Sequence, residues 1–290
     1  MGDRKVLVTG GNRGIGYELA AALLARGDRV VLTTRDADRG DRAIRRLLAD
    51  HPTGEVTVRT CDLSDPASVR RCADALLADG RPLDGVINNA GVLLAPPSRE
   101  LTPDGVEVTL ATNALGPLLL VGALAPMLRP AARVVSLTSR LHLPGSRGEP
   151  VDFDFDDPNL DHGYTPERSY KNSKLALMWV STLLDRRLGP VTSNTVCPGF
   201  VPRTAARHTR GWLRFKLRWI VPRLPFAVTA EQAAADVLWV LDAPELADRG
   251  DCFIADRTIS EASPQARDSA LADRFATLAG ELWPQLGGEE

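Results

Sequence analysis

The run Thr9-Gly10-Gly11-Asn12-Arg13-Gly14-Ile15-Gly16 constrains this chain most, because it joins a strand pattern directly to a helix pattern. Before it, Lys5-Val6-Leu7-Val8-Thr9 is short and apolar. After it, residues 14–26 repeat apolar side chains at helical spacing until Gly27 supplies a stop. Glycines at 10, 14 and 16 let the backbone turn sharply and approach a bound group closely. The helix start behind them offers N–H groups and the positive end of a dipole. A tight turn alone would also use glycine, but the strand before and the helix after favour a pyrophosphate. Gly10, Asn12, Arg13, Gly14, Ile15 and Gly16 are therefore the expected dinucleotide cradle.

The same alternation continues down the chain. Strands are predicted at 4–9, 29–34, 55–60, 83–88, 132–138 and 191–197, each apolar at its centre, with helical patterns between them. Asp65-Pro66 caps and opens one of these helices. The pattern predicts an α/β fold, a doubly wound parallel sheet of the Rossmann kind. Beyond residue 200 the rhythm changes. Residues 203–226 read as an inserted lid, followed by a helix near 229–242, a strand near 251–255 and a helical stretch near 265–284. One domain over residues 1–290, with that lid within it, is the expected organisation.

Bulk properties exclude several classes. A net charge of −2 gives no basis for general nucleic-acid binding. Cys61, Cys72, Cys197 and Cys252 lack CxxC spacing and read as reduced, mostly buried thiols, with no metal site expected. No uninterrupted apolar run approaches the ~20 residues that span a bilayer, and the first strand pattern begins almost at residue 1. A cytoplasmic location is expected.

Charge at the second strand's end distinguishes the nucleotides. An NAD site typically places an acidic residue there to bond the ribose hydroxyl. This chain has Thr33-Thr34-Arg35, with Arg13 in the glycine loop, and two guanidiniums suit a 2′-phosphate, although each also fits solvated surface. Asp36 competes from one place later. NADP(H) is the expected cofactor. Asp62, beside Leu63, is placed to meet the adenine amino group or to cap the following helix. Asn88-Asn89-Ala90-Gly91 ends the fourth strand, at the sheet edge where ligands of such folds sit, and also reads as a turn.

The chemistry is expected at Tyr170-Lys171-Asn172-Ser173-Lys174, where Tyr170 and Lys174 share one helix face. A free phenol titrates near about 10; bringing it toward ~7 takes roughly 4 kcal/mol at ~1.36 kcal/mol per unit. The Lys174 ammonium and an oxidised nicotinamide are the expected suppliers. Ser139 lies just past the fifth strand, where its hydroxyl would hold a substrate oxygen while Tyr170 moves the proton. Asn113 would anchor a water chain from Lys174 to solvent.

With these residues assembled, the chain resembles the short-chain dehydrogenase/reductase family over nearly its whole length. The match rests on Gly10, Gly14, Gly16, the Asn88–Gly91 stretch, Asn113, Ser139, Tyr170, Lys174 and Pro198-Gly199. The resemblance implies an Asn113–Ser139–Tyr170–Lys174 catalytic set. It also implies cofactor contacts from Asn89, Ala90, Gly91, Tyr170, Lys174, Pro198, Gly199, Val201 and Thr204. Ser139 and Tyr170 stand 31 positions apart, and the extra residues include Val151-Asp152-Phe153-Asp154-Phe155-Asp156-Asp157. That acidic-aromatic insert resembles the retinol-dehydrogenase-like and WW-domain-oxidoreductase-like branch. Thr204 falls later after Pro198-Gly199 than in many relatives, and the chain is expected to lack the branch's membrane-anchoring N-terminal segment.

The segment 207–223 interleaves basic residues with Trp212, Phe215 and Trp219. It reads as an amphipathic lid with a solvated basic face, as a membrane-surface helix, or as an entrance for an acidic substrate. Trp212, Phe215, Trp219, His142 and Tyr164 are the candidate substrate-binding residues. The expected activity is NADPH-dependent interconversion of carbonyl and alcohol on a bulky, mainly apolar small molecule. A non-catalytic NADP-binding regulator and a related cyclase, dehydratase or epimerase are the alternatives. The helical stretches 103–129 and 166–189 would form the interface of a homodimer, whereas long-insert relatives are often monomers.

Overall fold

The computed structural model describes residues 4–93, 95–145, 148–202, 221 and 227–287. Successive strand side chains point to opposite faces, and in β1 (Lys5–Thr9) both faces are apolar. Val6 and Val8 enter one core and Leu7 the other. The same division runs through β2 (Arg29–Thr34), β4 (Leu83–Asn88) and β5 (Leu128–Leu137). With β3 (Val56–Thr60), β6 (Thr192–Cys197), β7 (Phe253–Ala255) and β8 (Thr258–Ser260), they form one sheet ordered β3-β2-β1-β4-β5-β6-β7-β8. Every pairing is parallel except the β7–β8 hairpin.

A parallel sheet with two apolar faces needs helices on both. On one face α1 (Gly14–Ala25), α2 (Ala37–Asp50) and α6 (Ala230–Asp242) bury Leu19, Leu23, Leu47, Val237 and Leu241. On the other, α3 (Pro66–Ala78), α4 (Val108–Met127), α5 (Pro166–Arg187) and α7 (Ser269–Leu282) bury Val69, Leu115, Leu120, Trp179 and Phe275. This is the doubly wound α/β architecture expected from the strand–helix alternation, and its strand order reverses beside β1.

Some elements depart from expectation. The β8 strand was not anticipated, because its two-residue turn uses Asp256 and Arg257 at φ 52° and 56° with no glycine to announce it. The strand expected at 132–138 begins at Leu128. The helix expected at 103–129 is correspondingly shorter, winding as a π-turn over Ala111–Leu115. By length and average composition that α4 stretch could cross a bilayer, although Thr109, Thr112 and Asn113 interrupt its apolar run. Most of it is buried as a core helix.

The acidic-aromatic insert has a packing role. Phe153 and Phe155 stand 5.1 and 5.5 Å from the ring of Trp179, which is fully buried, and Phe275 of α7 lies 5.6 Å from it. Insert and C-terminal helix together cover this part of α5.

Candidate active site

At the carboxyl edge of the sheet, β1 and β4 are laced together. Asn89 donates its side-chain amide to the Thr9 carbonyl at 2.7 Å, and the Ala90 N–H donates to the Thr9 hydroxyl at 2.9 Å. Thr9 was not singled out from sequence; its only signal was its place as the last residue of β1. Gly10 and Gly14 take φ of +66° and +57°, which the loop's reversal requires. A Cβ at Gly16 would fall 2.5 Å from the Asn89 amide and 2.6 Å from the Gly10 carbonyl. Arg13, exposed at the start of α1, makes no side-chain cap, so the loop meets a helix N-terminus lacking that internal partner. Asn12 and Ile15 are half-buried beside it. A glycine-lined cradle at a helix start fits a pyrophosphate.

Around this cradle, Arg35 is exposed at the end of β2. Asp36 is occupied: its carboxylate caps α2, accepting from the Arg39 N–H at 3.0 Å, and it pairs with the Arg39 guanidinium at 3.0 Å. Asp62 binds its neighbour Ser64 through backbone and hydroxyl at 3.0 and 2.7 Å. Asp65, rather than Asp62, caps α3. Leu63 is buried, and its carbonyl would lie 2.2 Å from any Cβ at Gly116, so Gly116 is what lets this segment approach α4. Beyond β6, Pro198 and Val201 are buried and Gly199 takes φ +79°. Thr204, Trp212, Phe215 and Trp219, and all of the expected lid except Val221, lie outside the described residues.

The four residues expected to carry chemistry converge on the same edge. The Ser139 side chain lies beside the Tyr170 hydroxyl and favours its ionised form. Lys174 is buried, donates to the Leu137 carbonyl at 2.8 Å, and holds its ammonium 5.7 Å from the Tyr170 ring centre. Asn113, in the π-turn, accepts from the Val92 N–H at 2.7 Å and donates to the Val92 carbonyl at 3.1 Å. It also donates to Ser173 at 2.9 Å. A Cβ on Gly91 would meet both Asn113 at 3.0 Å and Lys174 at 3.8 Å, so this glycine lets the three segments close.

Titration behaviour departs from expectation. Burial, with a smaller electrostatic contribution from Cys197, raises the Tyr170 phenol above its ordinary value, and the neighbouring Ser139 side chain only partly offsets this. Burial lowers Lys174 to about 8. The Lys174 ammonium, expected to help acidify Tyr170 together with an oxidised nicotinamide, here donates to the Leu137 carbonyl and is itself lowered by burial. Tyr170 is a neutral phenol here.

Two candidate substrate residues have partners within the protein. His142 has no exposed surface; its ring packs edge-on to Phe253 and bonds the Ser139 carbonyl, because the short turn after β5 folds it inward. Tyr164 commits its hydroxyl to the Pro96 carbonyl at 2.7 Å. Ser173 and Cys197 were not foreseen. Ser173 carried only a helical spacing, and Cys197 was read as an ordinary thiol, although it influences both Tyr170 and Lys174.

This geometry agrees with what the chain is similar to. Residues 4–150 match the family model described as short chain dehydrogenase. Retinol dehydrogenase 12 of Bos taurus is 36% identical over 283 residues, covering 96% of this chain and 85% of that protein. Among solved structures, an uncharacterised protein from Mycobacterium Paratuberculosis superposes with a TM-score of 0.74 at 30% identity, covering 97% of this chain and 93% of the other. RhlG of Pseudomonas aeruginosa, solved as an NADP active-site complex, superposes with a TM-score of 0.68 at 25% identity, covering 88% and 95%. A glycine cradle at a sheet switch point, a Ser–Tyr–Lys cluster beside it and these likenesses lead to one conclusion: the chain belongs to the short-chain dehydrogenase family of oxidoreductases, in its retinol-dehydrogenase-like branch.

Proposed function

We propose that this protein reduces a bulky, mainly apolar aldehyde or ketone with NADPH, and that Tyr170 donates the proton. The observation that carries this reading is the gathering of Ser139, Tyr170 and buried Lys174, whose ammonium stands 5.7 Å from the Tyr170 ring centre, at the sheet edge that holds the glycine cradle. When bound, the nicotinamide supplies the hydride. Ser139 and Tyr170 would hold the carbonyl oxygen between their hydroxyls. As negative charge develops there, the neutral Tyr170 phenol gives up its proton. Lys174 would bind the nicotinamide ribose and offset charge on the departing phenolate.

The preference for NADP(H) is supported by Arg35, exposed at the end of β2, and by Asp36, whose carboxylate is already engaged with Arg39. RhlG, solved as an NADP complex, adds to this reading. An apolar substrate is supported by exposed Leu141 and Phe200, which follow Ser139 and Pro198-Gly199, and by likeness to a retinol dehydrogenase. Cover of α5 by the protein's own insert and α7 favours a monomer over a dimer built on that helix.

The test is NADPH consumption with a retinoid aldehyde and a panel of apolar ketones, by wild type and by Tyr170→Phe. Turnover by wild type, and its near loss in the variant with NADPH affinity within a few-fold, is the expected result. Undiminished turnover by Tyr170→Phe would overturn the proposal.

A further inference from the structure

Ser139 must present its hydroxyl in one direction, yet it stands at the first bend after β5, where nothing in strand geometry holds a side chain. The structure shows what restrains it. Ser139 caps the single turn Arg140–His142, and its hydroxyl oxygen accepts from the Leu141 N–H at 3.2 Å. The Ser139 carbonyl receives two bonds from one residue: the His142 backbone N–H at 3.3 Å and the His142 ring at Nδ1, 2.6 Å away. The ring has no exposed surface and meets Phe253 of β7 edge-on, with centroids 4.7 Å apart at 87°.

A carbonyl can only accept, so the ring proton must sit on Nδ1, and Nε2 carries a bare lone pair. That Nε2 is buried and has no hydrogen-bond partner among the described residues. An apolar side chain would leave no such unsatisfied acceptor but would also remove the Nδ1–H bond, so the histidine trades one buried acceptor for a hold on the Ser139 carbonyl. What histidine adds is a rigid donor, braced by Phe253, pressed onto the carbonyl of the serine expected to hold substrate. Burial also keeps the ring neutral, lowering its titration below the usual histidine range.

We propose that His142 is a positioning residue for the reaction: its Nδ1–H clamps the Ser139 carbonyl and so fixes the turn that aims the Ser139 hydroxyl at Tyr170 and the substrate oxygen. This rests on the reductase reading above. It makes His142 act through Ser139, without touching substrate.

The test compares His142→Phe, which keeps a ring against Phe253 but has no donor, with His142→Asn, whose amide nitrogen can stand near the Nδ1 position. Both are made in the full chain, alone and combined with Ser139→Ala. A small misplacement of a reacting group costs rate without costing cofactor binding. His142→Phe is therefore expected to lower kcat about tenfold or more while NADPH Kd stays within about threefold. His142→Asn should recover most of that loss. In the Ser139→Ala background, His142→Phe should cost less than about threefold further, because residues acting through one another are not additive.

Wild-type kcat in His142→Phe, equal loss in both serine backgrounds, or loss of NADPH affinity in step with kcat would each overturn the proposal. If His142→Phe does not fold, nitrogen NMR of the wild-type holoenzyme decides the matter, since the chain has only four histidines. A proton found on Nε2 overturns the clamp, and a slowly exchanging proton on Nδ1 supports it. Failure of the reductase reading itself would show separately, as unimpaired turnover in Tyr170→Phe.

Discussion

Asn113 and Ser173 meet at 2.9 Å, and Ser173 in turn donates to the Tyr170 carbonyl at 2.8 Å, so the π-turn of α4 is tied to the turn of α5 that carries the tyrosine. Both residues are buried, and neither bond can be exchanged for water without opening the core. The link converts two helices from distant parts of the chain into one support for the site.

Removing that link should be felt in stability and rate together. Ser173→Ala leaves the Asn113 amide with Val92 alone, and losing one buried hydrogen-bond partner costs about 1–3 kcal/mol. Urea unfolding should show a lower midpoint at unchanged slope, with kcat reduced several-fold. An unchanged midpoint would mean that the link contributes nothing.

Gly16→Ala tests the cradle. Its new methyl would stand 2.5 Å from the Asn89 amide and 2.6 Å from the Gly10 carbonyl, and neither group is the free end of a flexible chain. Calorimetric titration should show NADPH affinity falling about tenfold or more, equivalent to at least about 1.4 kcal/mol. Retained affinity would place the dinucleotide elsewhere.

Cofactor choice should move with Arg35. Arg35→Ala is expected to weaken NADPH about tenfold while changing NADH less than about twofold, because a guanidinium contributes more to a phosphate than to a hydroxyl. Steady-state KM values for both cofactors measure this directly, and parallel changes would refute the assignment.

Lys174 should make stability depend on pH. In the cofactor-free folded chain burial lowers its titration to about 8, against 10.5 for the ordinary side chain. Between those values the unfolded chain binds more protons, so stability rises with pH through that window; below it, the full penalty of burying the ammonium is present. The difference in unfolding free energy between wild type and Lys174→Met should therefore grow in favour of wild type by a few kcal/mol between pH 8 and 10.5, at ~1.36 kcal/mol per unit. A flat difference would show that the amine is solvated.

Trp179→Ala should destabilise by about 3–5 kcal/mol, the range for truncating a buried aromatic. Phe153, Phe155 and Phe275 all close on that ring. Thermal unfolding measures the loss, and a shift typical of a surface substitution would mean that the insert does not pack on α5.

What the sequence by itself determined is the part governed by short-range spacing. The glycine loop, the parallel strands and the Tyr170–Lys174 pair follow from strand and helix periodicity, which relates residues within a few positions of one another. Only the tertiary structure decided that His142 turns inward against Phe253, that Tyr164 gives its hydroxyl to Pro96, and that Asn113 reaches Ser173. The burial that pushes the Tyr170 phenol up is likewise a product of tertiary packing. Burial and partner choice depend on atoms brought together from segments tens to hundreds of residues apart, and no local pattern records them.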